Sequence, residues 1–212
     1  MKKNCFKKLV NFMLALVIFV SLISAAAIPA YACTTAHWGG SVYYSRTNLR
    51  IGIAGSAINS VLTFNLYSGI TGSGGWNNLH SPAKVHISSV INLPASPSAS
   101  RDVDVVGWGF GGGVLGELIA YDSMGRVTLP TSNWSSAVIR MNDSVTIWGS
   151  TASERTINAR AVFYHEVGHL FKLAHPVGCI SLAVMQTGGF VGNNNKSAYV
   201  MTHDANNINA RW

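Results

Sequence analysis

The sequence predicts an α/β fold in which a mixed β-sheet is backed by helices. Short segments with alternating or apolar patterns, at 41–45, 84–90, 103–106 and 137–141, are typical of strands. A longer helical pattern of apolar residues follows them from Thr156. The six Trp and 21 Gly also favour a β-rich globular protein.

The first 32 residues have the organisation of a secretory signal peptide. Four lysines lie within the first eight residues, an apolar segment covers 9–28, and Ala30-Tyr31-Ala32 is a small-x-small cleavage site. We therefore expect cleavage after Ala32 and a secreted, extracellular domain over 33–212, with no membrane contact after cleavage. The alternative is an uncleaved anchor, because the apolar run is nearly long enough to span a bilayer.

Removal of the signal peptide changes the charge of the chain. The full sequence has 15 Lys and Arg against 8 Asp and Glu, a net charge of +7. Without the four N-terminal lysines, 11 basic residues remain against the same 8 acidic ones, which leaves +3. The basicity therefore belongs mostly to targeting and does not argue for a nucleic-acid partner. The remaining 180 residues are enough to bury a core.

One stretch, His165-Glu166-Val167-Gly168-His169, carries a metal-binding pattern. Positions i and i+4 of a helix share a face, so His165 and His169 can present two imidazoles to one zinc ion. Glu166 is placed to hydrogen-bond a water molecule rather than to coordinate the metal. Zinc lowers the pKa of its water to about 7, and a nearby carboxylate accepts the proton.

A catalytic zinc site usually has three protein ligands, and Glu166 is the last Glu in the chain. His175, six residues after His169, is the best-placed third ligand. The helix is expected to begin at Ser153, a favourable N-cap, and must end near residue 171 or 172 for His175 to turn back. The downstream candidates considered together are His175, Cys179, His203 and Asp204.

The pattern resembles that of the metzincin metallopeptidases, His-Glu-x-x-His-x-x-Gly-x-x-His followed by a Met-turn. The resemblance implies zinc ligands at His165, His169 and His175, with Glu166 as the general base. Lys172 stands where the family has Gly, whose freedom at positive φ lets the chain leave the helix. We therefore expect φ > 0 at Lys172, at a cost of roughly 1 kcal/mol.

Residues 183–188 resemble the Met-turn that lies beneath the zinc, with Met185 ten residues after His175. Thr187 stands where some metzincins have an additional Tyr ligand, so the resemblance is to the matrixin-like branch. It implies a twisted mixed sheet of five strands, an active-site helix and a small C-terminal subdomain that ends in a helix over 203–212. It also implies one catalytic Zn²⁺.

The same resemblance implies how substrate binds. Residues 114–121 resemble the antiparallel edge strand to which an extended peptide adds through main-chain hydrogen bonds. The expected function is a secreted, monomeric zinc endopeptidase that acts on extended peptides or proteins. One alternative is an inactive zinc-binding module, against which Glu166 argues and for which Lys172 argues slightly. The other is a metallohydrolase of a non-protein or cell-wall substrate.

Two cysteines, Cys33 and Cys179, remain after removal of the signal peptide. In an exported chain they suggest one disulfide, although either could instead bind the zinc. A calcium site is possible but has no support in the sequence, because Asp102, Asp104 and Asp122 form no recognised calcium loop.

Overall fold

The computed structural model describes residues 37–43, 47–54, 74–78, 87–93, 102–110, 113–177, 182–187 and 197–212. All of them belong to the compact unit Cys33–Trp212. The segment 1–32, predicted to be a signal peptide, lies outside the described residues. So do Cys33 and Cys179, the two residues of the predicted disulfide. Both proposals therefore stay predictions.

Within these ranges five strands form one mixed sheet: β1 (Leu49–Ala54), β2 (Ile87–Leu93), β3 (Val103–Trp108), β4 (Gly116–Tyr121) and β5 (Ser136–Asn142). Their order in the sheet is β2-β1-β3-β5-β4. The strands β1, β2, β3 and β5 pair in parallel, whereas β4 pairs antiparallel with β5 at one edge. The predicted α/β class and the antiparallel edge position of β4 are confirmed.

Every second residue of the central strands faces the hydrophobic core, as the two-residue period of a strand requires. Residues paired across neighbouring strands share this face, as Ile51 does with Val103 and Val105 with Ile139. Burial of these branched side chains is the main stabilising contribution of the sheet. The buried residues on this face are Leu49, Ile51 and Ile53 of β1, Val103 and Val105 of β3, and Ala137, Ile139 and Met141 of β5.

One predicted strand is wrong over its described residues. The described residues 41–43 make only an isolated bridge, between Val42 and Trp134, and the first strand is β1. Their main chain bonds to a loop residue, because the N–H of Tyr43 donates to the carbonyl of Trp134 at 2.8 Å. Residues that favour strands are residues that pack well on a half-buried surface. Such residues can pack equally well in a loop. The strand predicted at 84–90 is confirmed over 87–90, which belong to β2, and residues 84–86 lie outside the described part of the chain.

The helix α1 (Ala152–Leu170) follows β5 and packs against β4 and β5. Its start is determined by Thr151, whose hydroxyl accepts the N–H of Glu154 at 3.1 Å while the Glu154 carboxylate accepts the N–H of Thr151 at 2.9 Å. This reciprocal capping box makes the prediction of Ser153 as N-cap wrong. Every residue from 161 to 170 is buried, so the last turns of α1 lie inside the protein.

The second described helix, α2 (Thr202–Arg211), confirms the expected terminal helix. Asp204, Ala205, Asn207 and Ile208 form its buried face. Among the described helices, none has both the length and the apolar character that a membrane crossing requires.

Candidate metal centre and active site

The structure brings His165, His169 and His175 together. One ring nitrogen from each lies within 4.8 Å of the others. The Nε2 atoms of His165 and His175 are 2.8 Å apart, although ten residues separate them in sequence. The other candidates behave differently, because His203 and Asp204 lie on α2 outside this cluster and Cys179 lies outside the described residues.

The orientation of two of the rings fits a metal ligand set. Nδ1 of His165 lies 2.9 Å from the carbonyl oxygen of Val184, and Nδ1 of His169 lies 2.7 Å from that of Leu173. A carbonyl can only accept, so each Nδ1 carries the proton and each Nε2 keeps a lone pair for a metal. With His175, the cluster offers three imidazoles and no thiolate, a donor set typical of a catalytic zinc site with one open position.

The turn that follows α1, residues 171–175, is called here the ligand turn. The N–H groups of Phe171 and Leu173 both donate to the carbonyl of Gly168, at 3.1 and 3.2 Å, and that of Lys172 donates to His169 at 2.9 Å. Lys172 has φ 67°, and among the described residues it alone has a positive φ without being glycine. The predicted left-handed conformation is confirmed, and it directs His175 back towards the helix.

The side chain of Lys172 is fully buried. Its Nζ donates to the carbonyls of Pro130, at 2.9 Å, and of Ser132, and it lies 3.7 Å from the centre of the Trp134 ring. Burial, and to a lesser extent the nearby Arg211 guanidinium, lower the pKa of Lys172 to about 8. Lysine is rarely buried without partners, and the partners of Lys172 lie far away in the sequence. The sequence therefore did not indicate these contacts.

Trp38 covers the outer side of the metal centre. Its ring stacks on His169, with centroids 4.6 Å apart and an angle of 18° between the planes. The backbone N–H of Trp38 donates to the backbone carbonyl of Lys172 at 2.7 Å. The Trp38 ring also meets the Trp134 ring edge-on, with centroids 6.0 Å apart. Sequence reasoning missed Trp38, because a contact between residues so far apart in the chain leaves no local pattern.

Met185, the central residue of the predicted Met-turn, packs against Gly168 of α1, next to His169. It is fully buried, and a Cβ atom added at Gly168 would overlap its sulfur atom. The same added atom would lie 2.8 Å from Cζ2 of Trp76. Gly168 therefore lets the buried last turn of α1 approach both side chains closely.

Asp204, a residue of α2, binds the main chain of the segment that contains Met185. Its carboxylate accepts the backbone N–H groups of Val184 at 2.9 Å, Met185 at 3.2 Å and Met201 at 2.9 Å. The residue is fully buried. The sequence analysis considered Asp204 only as a metal ligand, and it missed this role. Its position as the third residue of a helix was the available signal, because acidic residues there accept backbone N–H groups.

Glu166 lies in the cleft beside the histidines and is only 5% exposed. It faces β4 at Gly116, where an added Cβ would lie 3.4 Å from Cγ of Glu166 and 2.7 Å from Cγ1 of Val162. The absence of a side chain at Gly116 therefore allows α1 to approach the edge strand closely. This close approach places the carboxylate next to the main chain of β4.

A cleft of about 400 Å³ runs along β4 and over the histidines. Its far side is formed by residues 127–134, called here the wall segment. In the described part of the chain no strand pairs with the outer side of β4 from Gly116 to Ile119. The wall segment meets the end of β4, where the N–H of Thr128 donates to the carbonyl of Ala120 at 3.0 Å and Val127 forms an antiparallel bridge with Tyr121. The lining residues are Trp38, Gly116 to Ala120, Val127, Thr128, Pro130, Trp134, His165, Glu166, His169 and His175.

Comparisons with known proteins agree with this geometry at the level of the fold. No protein-family model matches the sequence, and no curated protein matches it significantly. Among solved structures, the chain is similar to the crystal structure of archaemetzincin from Methanopyrus kandleri, with a TM-score of 0.50. The two share 11% sequence identity, over 80% of this chain and 98% of the archaemetzincin chain. At that identity, the similarity shows that this chain has a fold like that of archaemetzincin.

Proposed function

We propose that this protein is a zinc endopeptidase of the metzincin type that hydrolyses extended peptides. The convergence of His165, His169 and His175 beside the buried carboxylate of Glu166 carries the proposal. Within the described residues, no strand pairs with the outer side of β4 from Gly116 to Ile119. This edge along the cleft supports a peptide substrate, because such an edge accepts an extended chain through main-chain hydrogen bonds. The similarity of the fold to archaemetzincin supports it further.

Zinc held by the three histidines would act as a Lewis acid that polarises the scissile carbonyl and lowers the pKa of the attacking water. Glu166 accepts the proton of that water and delivers it to the leaving amine. The Nδ1–H groups of His165 and His169 donate to backbone carbonyls and hold both rings with Nε2 towards the centre. The main chain of β4 aligns the substrate, so that the scissile bond lies over Glu166.

We extend the proposal to the ligand set and to the location of the enzyme. Three histidines with Thr187 in place of a tyrosine ligand favour the matrixin-like branch. The basic, apolar and small-residue pattern of residues 1–32 supports export, and export supports a disulfide between Cys33 and Cys179. A secreted, monomeric peptidase is the form that agrees with these features.

Casein hydrolysis by the purified protein, with bound zinc quantified, tests the proposal. We expect activity with about one zinc per chain, and a kcat at least ~10²-fold lower in Glu166→Ala with the zinc retained. Asp143→Asn, which neutralises an exposed carboxylate outside the cleft, is the matched control and should retain full activity.

The other outcomes would each contradict a defined part of the proposal. Full zinc occupancy without activity in any variant would favour a zinc-binding module or a hydrolase of a non-protein substrate. A protein that binds no zinc would contradict the metal centre itself. Equal activity of Glu166→Ala and the unmodified protein would exclude Glu166 as the base.

A further inference from the structure

We infer that Lys172 is a positioning residue that ties the ligand turn to the wall segment, so that zinc binding and the cleft wall are coupled. The inference rests on the proposed function, because it takes His175 as a zinc ligand. The lysine stands where the metzincin pattern has a glycine. A glycine there could end the helix but could not reach the wall.

The first observation is that the backbone conformation of Lys172 is unfavourable for a residue with a side chain, whereas the contacts of its side chain are favourable. Its φ of 67° is a conformation that glycine adopts freely and that costs a residue with a Cβ roughly 1 kcal/mol. A lysine kept in this conformation must be stabilised by other contacts of the folded chain. The contacts that could do this are those of its ammonium group.

The second observation is where that ammonium group lies. It donates to the carbonyls of Pro130 and Ser132 and faces the ring of Trp134 at 3.7 Å. Charge-assisted hydrogen bonds and cation–π contacts are stronger in a buried site than at the surface. All three partners belong to the wall segment, and Pro130 and Trp134 line the cleft directly.

The third observation is that these contacts close a ring around the metal centre. The backbone N–H of Lys172 donates to the carbonyl of His169. Trp38 stacks on the imidazole ring of His169 and also meets the ring of Trp134 edge-on. The carbonyl of Lys172 also accepts the N–H of Trp38. A shift of the ligand turn therefore displaces the wall, and a shift of the wall displaces the ligand turn.

Two variants of the full protein separate this role from that of a simple turn residue. Lys172→Met keeps an unbranched side chain but removes the donors, and Lys172→Gly removes the tether while it relieves the positive φ. Arg126→Met is the matched control. Arg126 is an exposed cation that pairs with Asp122, and it lies just before the wall segment in the sequence. The glycine variant keeps the test valid if the methionine variant does not fold.

Two measurements read out the coupling without catalysis. Competition with a chelator measures the zinc affinity. Backbone hydrogen exchange over residues 127–134, with and without zinc, measures how rigidly the wall segment is held. The N–H groups of Thr128, Ser132 and Trp134 are hydrogen-bonded and serve as reporters. We expect zinc to slow their exchange in the unmodified protein and in Arg126→Met.

In both Lys172 variants we expect zinc affinity to fall by about tenfold, the effect typical of groups that orient metal ligands. We also expect the zinc-dependent slowing at the wall to disappear, even at saturating zinc. Unchanged affinity, or persistent slowing, in Lys172→Gly would overturn the inference while leaving the proposed function intact. Absence of zinc binding in the unmodified protein would overturn both.

Discussion

Asp204 and Val184 are joined by a hydrogen bond of 2.9 Å, from the N–H of Val184 to the carboxylate. The carbonyl of the same Val184 lies 2.9 Å from Nδ1 of His165. The peptide segment at Val184 is therefore bonded to α2 on one side and to a proposed zinc ligand on the other. Because the bonded imidazole nitrogen is the one that does not face the metal, α2 supports the orientation of His165 from a distance.

Asp204→Ala should destabilise the protein strongly. The change leaves three backbone N–H groups without their acceptor, and an unpaired buried donor costs about 1–3 kcal/mol. We expect the free energy of unfolding, measured by urea denaturation, to fall by about 3 kcal/mol or more. Asn206→Ala, at an exposed position of the same helix, should change it by less than about 0.5 kcal/mol. Equal losses in both variants would contradict the role of Asp204.

Gly168→Ala should lower the melting temperature although alanine favours helix formation by about 1 kcal/mol. The added methyl group would overlap the sulfur of Met185 and approach Cζ2 of Trp76 at 2.8 Å. Overpacking of this kind typically costs about 1–3 kcal/mol. Gly113→Ala is the control, because an added Cβ there meets nothing within 4 Å. Thermal unfolding that shows no difference between the two variants would exclude close packing at Gly168.

Thr151→Ala should reduce stability by about 1 kcal/mol, because it removes the acceptor of the Glu154 N–H at the start of α1. Ser153→Ala should change stability by less than about 0.5 kcal/mol, because Ser153 is exposed inside the first turn. Denaturant midpoints of the two variants give the comparison. A larger effect at Ser153 would restore it as the N-cap.

Lys172 should make the stability of the zinc-free protein depend on pH between about 8 and about 10.5. Its pKa in the folded protein is lowered from 10.5 to about 8, chiefly by burial. In this window the unfolded chain binds the proton and the folded chain does not, so its contribution to stability rises with pH and is lost as pH falls through about 8. Relative to Lys172→Met, the unfolding free energy should therefore increase over this range. A constant or decreasing difference would contradict the lowered pKa.

The parts of the site that sequence analysis predicted are those that local geometry determines. His165 and His169 are four residues apart in a helix, so their shared face follows from the helical period. The positive φ of Lys172 was expected because Lys172 stands where the metzincin pattern has its glycine, at the turn between His169 and His175. Both predictions required no knowledge of the rest of the chain.

The parts that were missed depend on the rest of the chain or on a weaker local signal. The stacking of Trp38 on His169 joins segments that no sequence period connects. The partners of the Lys172 ammonium lie on the wall segment, about 40 residues earlier. The error at Ser153 is different, because Thr151 and Glu154 form a capping-box pattern that was legible in the sequence.

The ligand turn is held by both ends of the described domain. Trp38 bonds to Lys172 on one side, Trp212 donates its indole N–H to Phe171 at 3.2 Å on the other, and Arg211 donates to Gly40 across 171 residues of sequence. Contacts of such separation form late in folding, because closing a long loop must precede them. We therefore expect the ligand turn to reach its final geometry only when α2 docks, so that the order of assembly determines when the proposed metal centre becomes complete.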